Sequence, residues 1–376
     1  MIEAYLDNSA TTQVDERVAK AALWAMCENY GNPSSLHDKG LNAELAIKAS
    51  REQLAEALGA SGDDIIFTSG GTEANNLAIL GTAAAGAKRG GKIITTAFEH
   101  SSVLKSFAEL ERLGCKAVYI KPDCKGHIAS EDILAEVDEH TVLVSVMLVN
   151  NEIGTILPIE QLVQGIRLKN KKTIIHCDAV QGFGKLPINV KKLGVDLLTV
   201  SGHKIHAPKG VGALYLAKAV HLTPRSFGGG QERGLRTGTQ AVPVIIAMGC
   251  AAALINTQQA QQNSSVLSNA LISGIADIHE VIINSPPDAL PSIVNLSVMG
   301  IRSEIMLHYM STRGVFVSSG SACAKGGKSH VLTSMGLNPK VIDSALRISF
   351  GKFNTCEDVA RFITVLKQGI REIKKL

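Results

Sequence analysis

Three segments of this chain combine reactive side chains with a backbone suited to holding a ligand. The first is Ser201-Gly202-His203-Lys204-Ile205-His206-Ala207-Pro208-Lys209-Gly210, which follows the largely apolar run 195–200. That run predicts a buried strand of a parallel sheet, and a lysine at the end of such a strand sits where α/β sheets bind ligands. Lysine amines are weak nucleophiles until desolvation lowers their pKa, which a buried strand end can supply. Alone, the segment fits a surface lysine at a strand end better. The second segment, Thr173-Ile174-Ile175-His176-Cys177-Asp178, is another buried strand and is followed by Ala179-Val180-Gln181. A buried carboxylate needs a cation or strong donors, although Asp178 also fits the N-cap of a following helix. The third, Phe67 to Leu77, enters a Ser/Gly/Thr turn and then a helix. Free N–H groups and the helix dipole make such a turn an anion site, which Gly71 and Thr72 would line. It is neither a Walker A nor a GxGxxG sequence, which disfavours a nucleotide.

These three features meet in one cofactor. Pyridoxal phosphate keeps a protonated ring nitrogen beside an aspartate while a lysine holds its aldehyde. Further motifs extend the pattern along the chain: 6–12 (Leu-Asp-Asn-Ser-Ala-Thr-Thr), 30–37, Glu99-His100-Ser101-Ser102, Val149-Asn150-Asn151-Glu152-Ile153-Gly154, the Gly-rich segment 228–239, Ser318-Ser319-Gly320-Ser321-Ala322-Cys323 and Ala345-Leu346-Arg347-Ile348-Ser349. In this order they resemble the cysteine desulfurases of the NifS-like group, within the class V aminotransferase superfamily of fold-type I pyridoxal enzymes.

The resemblance implies a role for each matching residue. Lys204 would hold the cofactor's aldehyde and move the substrate's Cα proton. Asp178 would pair with the ring nitrogen, Gln181 would donate to the phenolic oxygen, and Asn151 would lie near that oxygen. His100 would stack on the ring and relay protons, although it also fits a position beside the N-cap of the helix carrying Val103, Phe107 and Leu110. Gly71, Thr72, Ser201 and His203 would hold the phosphate. Thr239 would reach the phosphate in the partner subunit, which implies a homodimer. Arg347 would clamp the carboxylate of L-cysteine, a bidentate task suited to guanidinium; without the resemblance it fits a half-exposed strand.

Cys323 follows the apolar stretch Val315-Phe316-Val317 in a Ser/Gly loop that also carries Lys325 and Lys328. An exposed loop with nearby lysines favours a reactive thiolate. In the resembling family this cysteine attacks the sulfur of the bound substrate and carries it as a persulfide while alanine leaves. Cys27, Cys177 and Cys250 are expected to be inert buried thiols.

Composition agrees. The 376 residues are 45% hydrophobic and 19% charged, typical of a globular enzyme with two or three domains. The net charge of +4 is scattered, so no direct nucleic-acid partner is expected. Seven cysteines without a CxxC pair point to a reducing cytoplasm. No signal peptide is expected, and the apolar run 242–255 is too short for a membrane span.

Strands and helices alternate from about 60 to 220, predicting an α/β, doubly wound, mainly parallel sheet. Helices are expected near 15–28 and 40–58, and a helix from 243 is expected to run on through the polar stretch 258–263. A large cofactor-binding domain is placed at 16–250, and a small α+β domain at 251–376 with residues 1–15. That small domain has strands near 281–284, 293–298, 315–318 and 345–350, and Thr355 with Asp358 would form a capping box for the last helix. Against the resemblance, the segment between Cys323 and His330 is short, and the chain stops directly after its last helix. The sulfur acceptor, an iron–sulfur scaffold or a tRNA-thiolation enzyme, therefore stays open, and a dedicated acceptor protein is expected. The alternatives are a selenocysteine lyase or another class V pyridoxal enzyme, a non-catalytic pyridoxal-binding regulatory module, and an aldolase built on Lys204.

Overall fold

The computed structural model describes residues 3–86, 91–319 and 328–373. Its strands are β1 (Ala4–Tyr5), β2 (Ile65–Thr68), β3 (Lys92–Thr96), β4 (Lys116–Ile120), β5 (Thr141–Met147), β6 (Ile174–Asp178), β7 (Leu197–Ser201), β8 (Gly212–Leu216), β9 (Val281–Ile283), β10 (Ile293–Val298), β11 (Val315–Phe316) and β12 (Ala345–Ser349). The helices used below are α1 (Glu16–Cys27), α2 (Asp38–Leu58), α3 (Gly71–Gly86), α4 (Ser101–Arg112), α5 (Ser130–Glu136), α6 (Ile159–Lys169), α7 (Val190–Leu193), α8 (Val242–Ala253) and α9 (Thr257–Ile275).

Seven strands form one sheet in the order β2-β8-β7-β6-β5-β3-β4. β3 to β7 pair in parallel, while β8 is antiparallel to both β7 and β2. The central strands are largely apolar, as expected of a parallel sheet covered on both faces, and β5, β6, β7 and β8 are almost entirely buried. After β4 the chain returns past β3 to lay down β5, so the direction of strand addition reverses between β3 and β5. The crevice beyond the carboxyl ends of the strands at such a reversal is where open α/β sheets take ligands. Glu99 and His100 follow β3, and Asn150 and Asn151 follow β5, which puts both motifs at that reversal.

A second sheet, β12-β10-β9, is antiparallel, and β1 pairs in parallel with β11. Around them, Ala4, Leu6, Leu271, Leu296, Met306, Val315, Leu346 and Phe362 share a core separate from that of the large sheet. Leu290, Ile293, Val331, Leu332, Met335 and Ala345 instead join the large-sheet core, so the later residues are not packed as one block.

Local chemistry sets the element ends. Asp15 caps α1 by accepting from the Arg17 N–H at 2.9 Å. Gly59 closes α2 in a left-handed conformation, φ 67°. The single long helix expected beyond 243 is two helices: α8 stops at Ala253, and α9 restarts at 77° to it. Asn256 causes the restart, because its side chain accepts from the Gln259 N–H at 3.0 Å and opens a new helix. Asp358 accepts from the Thr355 N–H at 3.0 Å, which supplies the expected back-bond of the capping box. Among the described residues no single helix is long and apolar enough to cross a membrane, and no group of three His, Cys, Asp or Glu residues could hold a metal.

Two expectations about exposure are corrected. Cys27 is exposed, because α1 turns Val18, Ala22 and Ala25 to the core and Cys27 to solvent. Arg347 is not on a half-exposed strand: β12 is buried along its length and Arg347 is 2% exposed. Cys177 is buried as expected, and Cys250 is only partly so.

Candidate active site

Adjacent parallel strands deliver the two charged groups singled out in the sequence. Asp178 ends β6 opposite Thr199 of β7, and two residues later β7 ends at Ser201, leading into the single turn that carries His203 and Lys204. No helix opens at Asp178, which removes the N-cap alternative. One oxygen instead accepts from the Val180 N–H at 3.0 Å, and the other from Asn75 Nδ2 at 2.7 Å. The same Asn75 nitrogen donates to Ser102 Oγ at 2.8 Å.

The backbone N–H of Ser102 decides the state of His100. Ser102 Oγ, already accepting from Asn75, lies 2.8 Å from His100 Nδ1, and the Ser102 N–H points at the same nitrogen from 3.2 Å. Nδ1 is therefore an acceptor, and the neutral ring carries its proton on Nε2. Burial pushes the His100 pKa down, opposed by the Asp178 charge and helped by the charges of Lys204 and His330. His100 thus lies within electrostatic range of both the carboxylate and the amine. It is itself the N-cap of α4, rather than a neighbour of the cap.

The Gly-rich turn reaches the same region. A Cβ on Gly71 would meet Val180 Cγ2 at 2.9 Å and Ser201 Cβ at 3.6 Å, so only glycine lets the start of α3 sit against the ends of β6 and β7. Gly212 on β8 is needed for the same closeness, because a Cβ there would meet the Gly70 Cα at 2.7 Å. Thr72 is exposed in the first turn of α3, and Glu73 accepts from the Ser69 N–H at 2.6 Å. The His203 pKa is lowered to about 4, first by burial and then by the Lys204, Lys209 and His100 charges, so this ring is neutral near pH 7.

Residues 7–12, part of the first motif, cross over the site. Lys204 Nζ donates to the carbonyls of Ser9 and Ala10, the latter at 2.8 Å. Gln181 Nε2 donates to Ser9 O at 2.9 Å, and Thr12 Oγ1 to His203 O at 3.0 Å. Asp7 accepts from an Arg347 NH2 group at 2.8 Å, while the other arm of the guanidinium donates to Asn151 O at 3.0 Å. Arg347, Asn151 and the crossing segment thereby meet on one side of Lys204. Asn75, Ser102, Asp7 and Ser9 are the residues that sequence reasoning missed. Asn75 sits in the Gly-rich motif and Asp7 and Ser9 in the first one, but only the fold shows what they touch.

Thr239 stands apart. It is exposed, on the rim of a shallow groove shared with Met26, Tyr30, Asn32 and Pro33. Cys323 lies outside the described residues. The chain before it is held where Ser318 and Arg347 exchange backbone hydrogen bonds (2.6 and 3.2 Å), and the chain after it where Ser329 donates to Glu152 and His330 bonds Glu99 O at 2.8 Å.

Two buried polar atoms show what the arrangement accommodates. Ser201 Oγ and Asn151 Oδ1 have no hydrogen-bond partner among the described residues, and native proteins seldom leave such groups unsatisfied. Ser201 Oγ adjoins the Gly71 turn, where a phosphate would satisfy it. The donor set fits pyridoxal phosphate: an amine, a carboxylate one strand away, a neutral histidine between their charges, and an anion-binding turn.

Comparison with known proteins agrees. The Aminotransferase class-V family profile matches residues 4–362. The chain belongs to the class-V aminotransferases. It is 42% identical to a putative cysteine desulfurase IscS 1 of Bacillus subtilis (strain 168), over 100% of both chains. It is 40% identical to the cysteine desulfurase IscS of Methanosarcina thermophila, over 99% of this chain and 93% of that one. A NifS-like protein of known structure superposes with a TM-score of 0.93 at 39% identity, over 100% of both chains. Within the class-V aminotransferases, then, this chain is an enzyme of the cysteine desulfurase group, whose members depend on pyridoxal phosphate.

Proposed function

We propose that this chain takes sulfur from L-cysteine and releases L-alanine, using pyridoxal phosphate held by the residues above and Cys323 as the sulfur carrier. Bound at the site, the cofactor would supply an electron sink that makes the substrate's Cα proton removable and its sulfur electrophilic. The chain's own residues do the rest. Lys204 anchors the cofactor's aldehyde and moves the proton, and Asp178, held by Asn75, stabilises the charged ring nitrogen. His100 covers the ring with its Nε2 proton available. Gln181 and Asn151 serve the phenolic oxygen. Gly71, Thr72, Ser201 and His203 take the phosphate, and Arg347 takes the substrate carboxylate. The Cys323 thiolate forms a bond to the substrate sulfur as the carbon–sulfur bond breaks. The electron pair of the broken bond goes to the carbon fragment, whose Cβ takes up the proton lost by the substrate thiol, and the fragment leaves as alanine.

The observation that carries this reading is the pair of buried, unsatisfied atoms, Ser201 Oγ and Asn151 Oδ1, flanking the strand ends that bear Lys204 and Asp178. We further propose a homodimer in which exposed Thr239 reaches the phosphate in the partner subunit. Its support is the apolar surface beside it, where Met26 and Tyr30 are 55% and 65% exposed. The domain division at 16–250, a cytoplasmic location and delivery to a dedicated acceptor protein, a scaffold or a tRNA-thiolation enzyme, belong to the same proposal. The six described cysteines are all free, as a reducing compartment requires.

The test is to load the purified protein with pyridoxal phosphate, add L-cysteine, and measure alanine, sulfide and protein-bound persulfide. With a thiol reductant present to release the carried sulfur, alanine and sulfide should form in equal amounts; without added reductant, a tryptic peptide containing Cys323 should gain one sulfur. Cys323→Ser should retain cofactor and lose sulfide production by about a hundredfold or more. Full sulfide production by Cys323→Ser would overturn the assignment.

A further inference from the structure

Beside the site lies a lysine to which the reading above gives no task. Lys185 follows the turn at Gly184 (φ 79°), and Gln261 of α9 fixes its backbone by donating to its carbonyl at 3.1 Å. Its ammonium turns inward, away from water, onto Gln181 Oε1 at 2.9 Å. The opposite end of the Gln181 amide, Nε2, donates to Ser9 O at 2.9 Å, and Lys204 donates to that same carbonyl. The four groups form one line: Lys185 to Gln181 to the Ser9 carbonyl, met from the far side by Lys204.

Chemistry fixes the direction of that line. An ammonium donates and cannot accept, so the Gln181 oxygen must face Lys185 and the NH2 end must face Ser9. The two ends of an amide are nearly identical in shape. Without Lys185, the Gln181 oxygen loses its charged donor and only the Ser9 carbonyl is left to hold the amide in this direction. Among the described residues no carboxylate pairs with Lys185 to blunt its charge. The groups facing it are Lys204 from the turn after β7, Arg347 from β12 and His206, while Asp15 and Lys352 line the same cavity of about 270 Å³ and pair with each other at 2.5 Å. Burial, then the Lys204 and Arg347 charges, lower the Lys185 pKa to about 7.

We propose that Lys185 is a positioning residue that locks the Gln181 amide with its N–H end toward the Lys204 side of the site. The inference rests on the cofactor site proposed above, where Gln181 is the donor to the phenolic oxygen. Above neutral pH the deprotonated amine can accept as well as donate, and the lock loosens.

The experiment compares the loaded parent with Lys185→Met, Lys185→Arg, Gln181→Ala and the Met/Ala double variant. Two quantities are read: the cofactor dissociation constant, and the pH midpoint of the bound cofactor's absorption change. Lys185→Met should weaken retention about tenfold, as expected for one charge-assisted hydrogen bond, and shift the midpoint. Lys185→Arg keeps a cationic donor and should stay near the parent in both. Adding Lys185→Met to Gln181→Ala should change neither quantity further, because the lysine acts through the amide. An equal effect of Lys185→Met with and without Gln181, or none at all, would overturn the proposal while leaving the cofactor site intact. If Gln181→Ala alone changes neither quantity, the donor role of Gln181 fails, and the role of Lys185 fails with it.

Discussion

Asn75 is the residue on which the polar half of the site depends. One amide nitrogen serves both Asp178 and Ser102, whose hydroxyl in turn lies 2.8 Å from His100 Nδ1. Asn75→Ala removes donors from two buried groups and should cost about 1–3 kcal/mol of stability in urea unfolding of the cofactor-free protein. An unchanged midpoint would show that the network contributes nothing to stability. Glu99 offers a sharper test. Its carboxyl is fully buried, and burial pushes its pKa to about 8, with the Asp178 charge adding to the rise. One oxygen accepts from Thr96 at 2.7 Å and from the Met147 N–H at 2.9 Å. The folded chain therefore binds this proton more tightly than the unfolded one, whose carboxyl titrates near 4.5. Its contribution to stability is intact below about pH 4.5, falls as pH rises, and levels off above about pH 8. Glu99→Gln keeps the accepting oxygen and removes the titration. It should match the parent near pH 4 and exceed it by on the order of 5 kcal/mol near pH 9. Parallel stability curves for the two proteins would contradict the assignment of a neutral Glu99.

At the scale of elements, the segment carrying Thr239 is held by a buried carboxylate. Glu232 accepts from both arms of Arg51 (2.7 and 2.8 Å), from the Phe67 N–H (2.8 Å) and from Gln240 Nε2 (2.6 Å). Those bonds keep Glu232 and Arg233 at φ 45° and 58°, a left-handed conformation that costs non-glycine residues about 1–3 kcal/mol each. Since Phe67 belongs to β2 and Arg236 pairs with Glu73 in the first turn of α3, the Thr239 segment is braced against the chain's own Gly-rich turn. Glu232→Ala strands the Arg51 charge and should cost about 3–5 kcal/mol in unfolding experiments. A loss under 1 kcal/mol would mean that the clamp does not hold the segment.

For the molecule as a whole, the sequence showed the groups at strand ends but not the groups that bind them. Lys204 and Asp178 were legible because each closes an apolar run, and such runs mark buried parallel strands. Asn75 and Ser9 were not, because their partners come from strands and turns far apart in the chain, and Lys185 was not, because its nearby partner Gln181 lies in an irregular turn with no periodic pattern. Arg347 and Asp7 pair across 340 residues, a contact no local pattern encodes. The break between α8 and α9 was missed for the opposite reason, since the local capping by Asn256 outweighed the helical periodicity on either side of it. Cys27 was misjudged because a residue's type does not fix which face of a helix it occupies. The proposed chemistry depends on which amine holds the cofactor. That is measured directly by reducing the loaded protein with borohydride, digesting it, and locating the pyridoxyl label by mass spectrometry. The label should fall on Lys204 alone and be absent from Lys204→Ala. A label on Lys185 or elsewhere, or none in a protein that still desulfurates cysteine, would contradict the account.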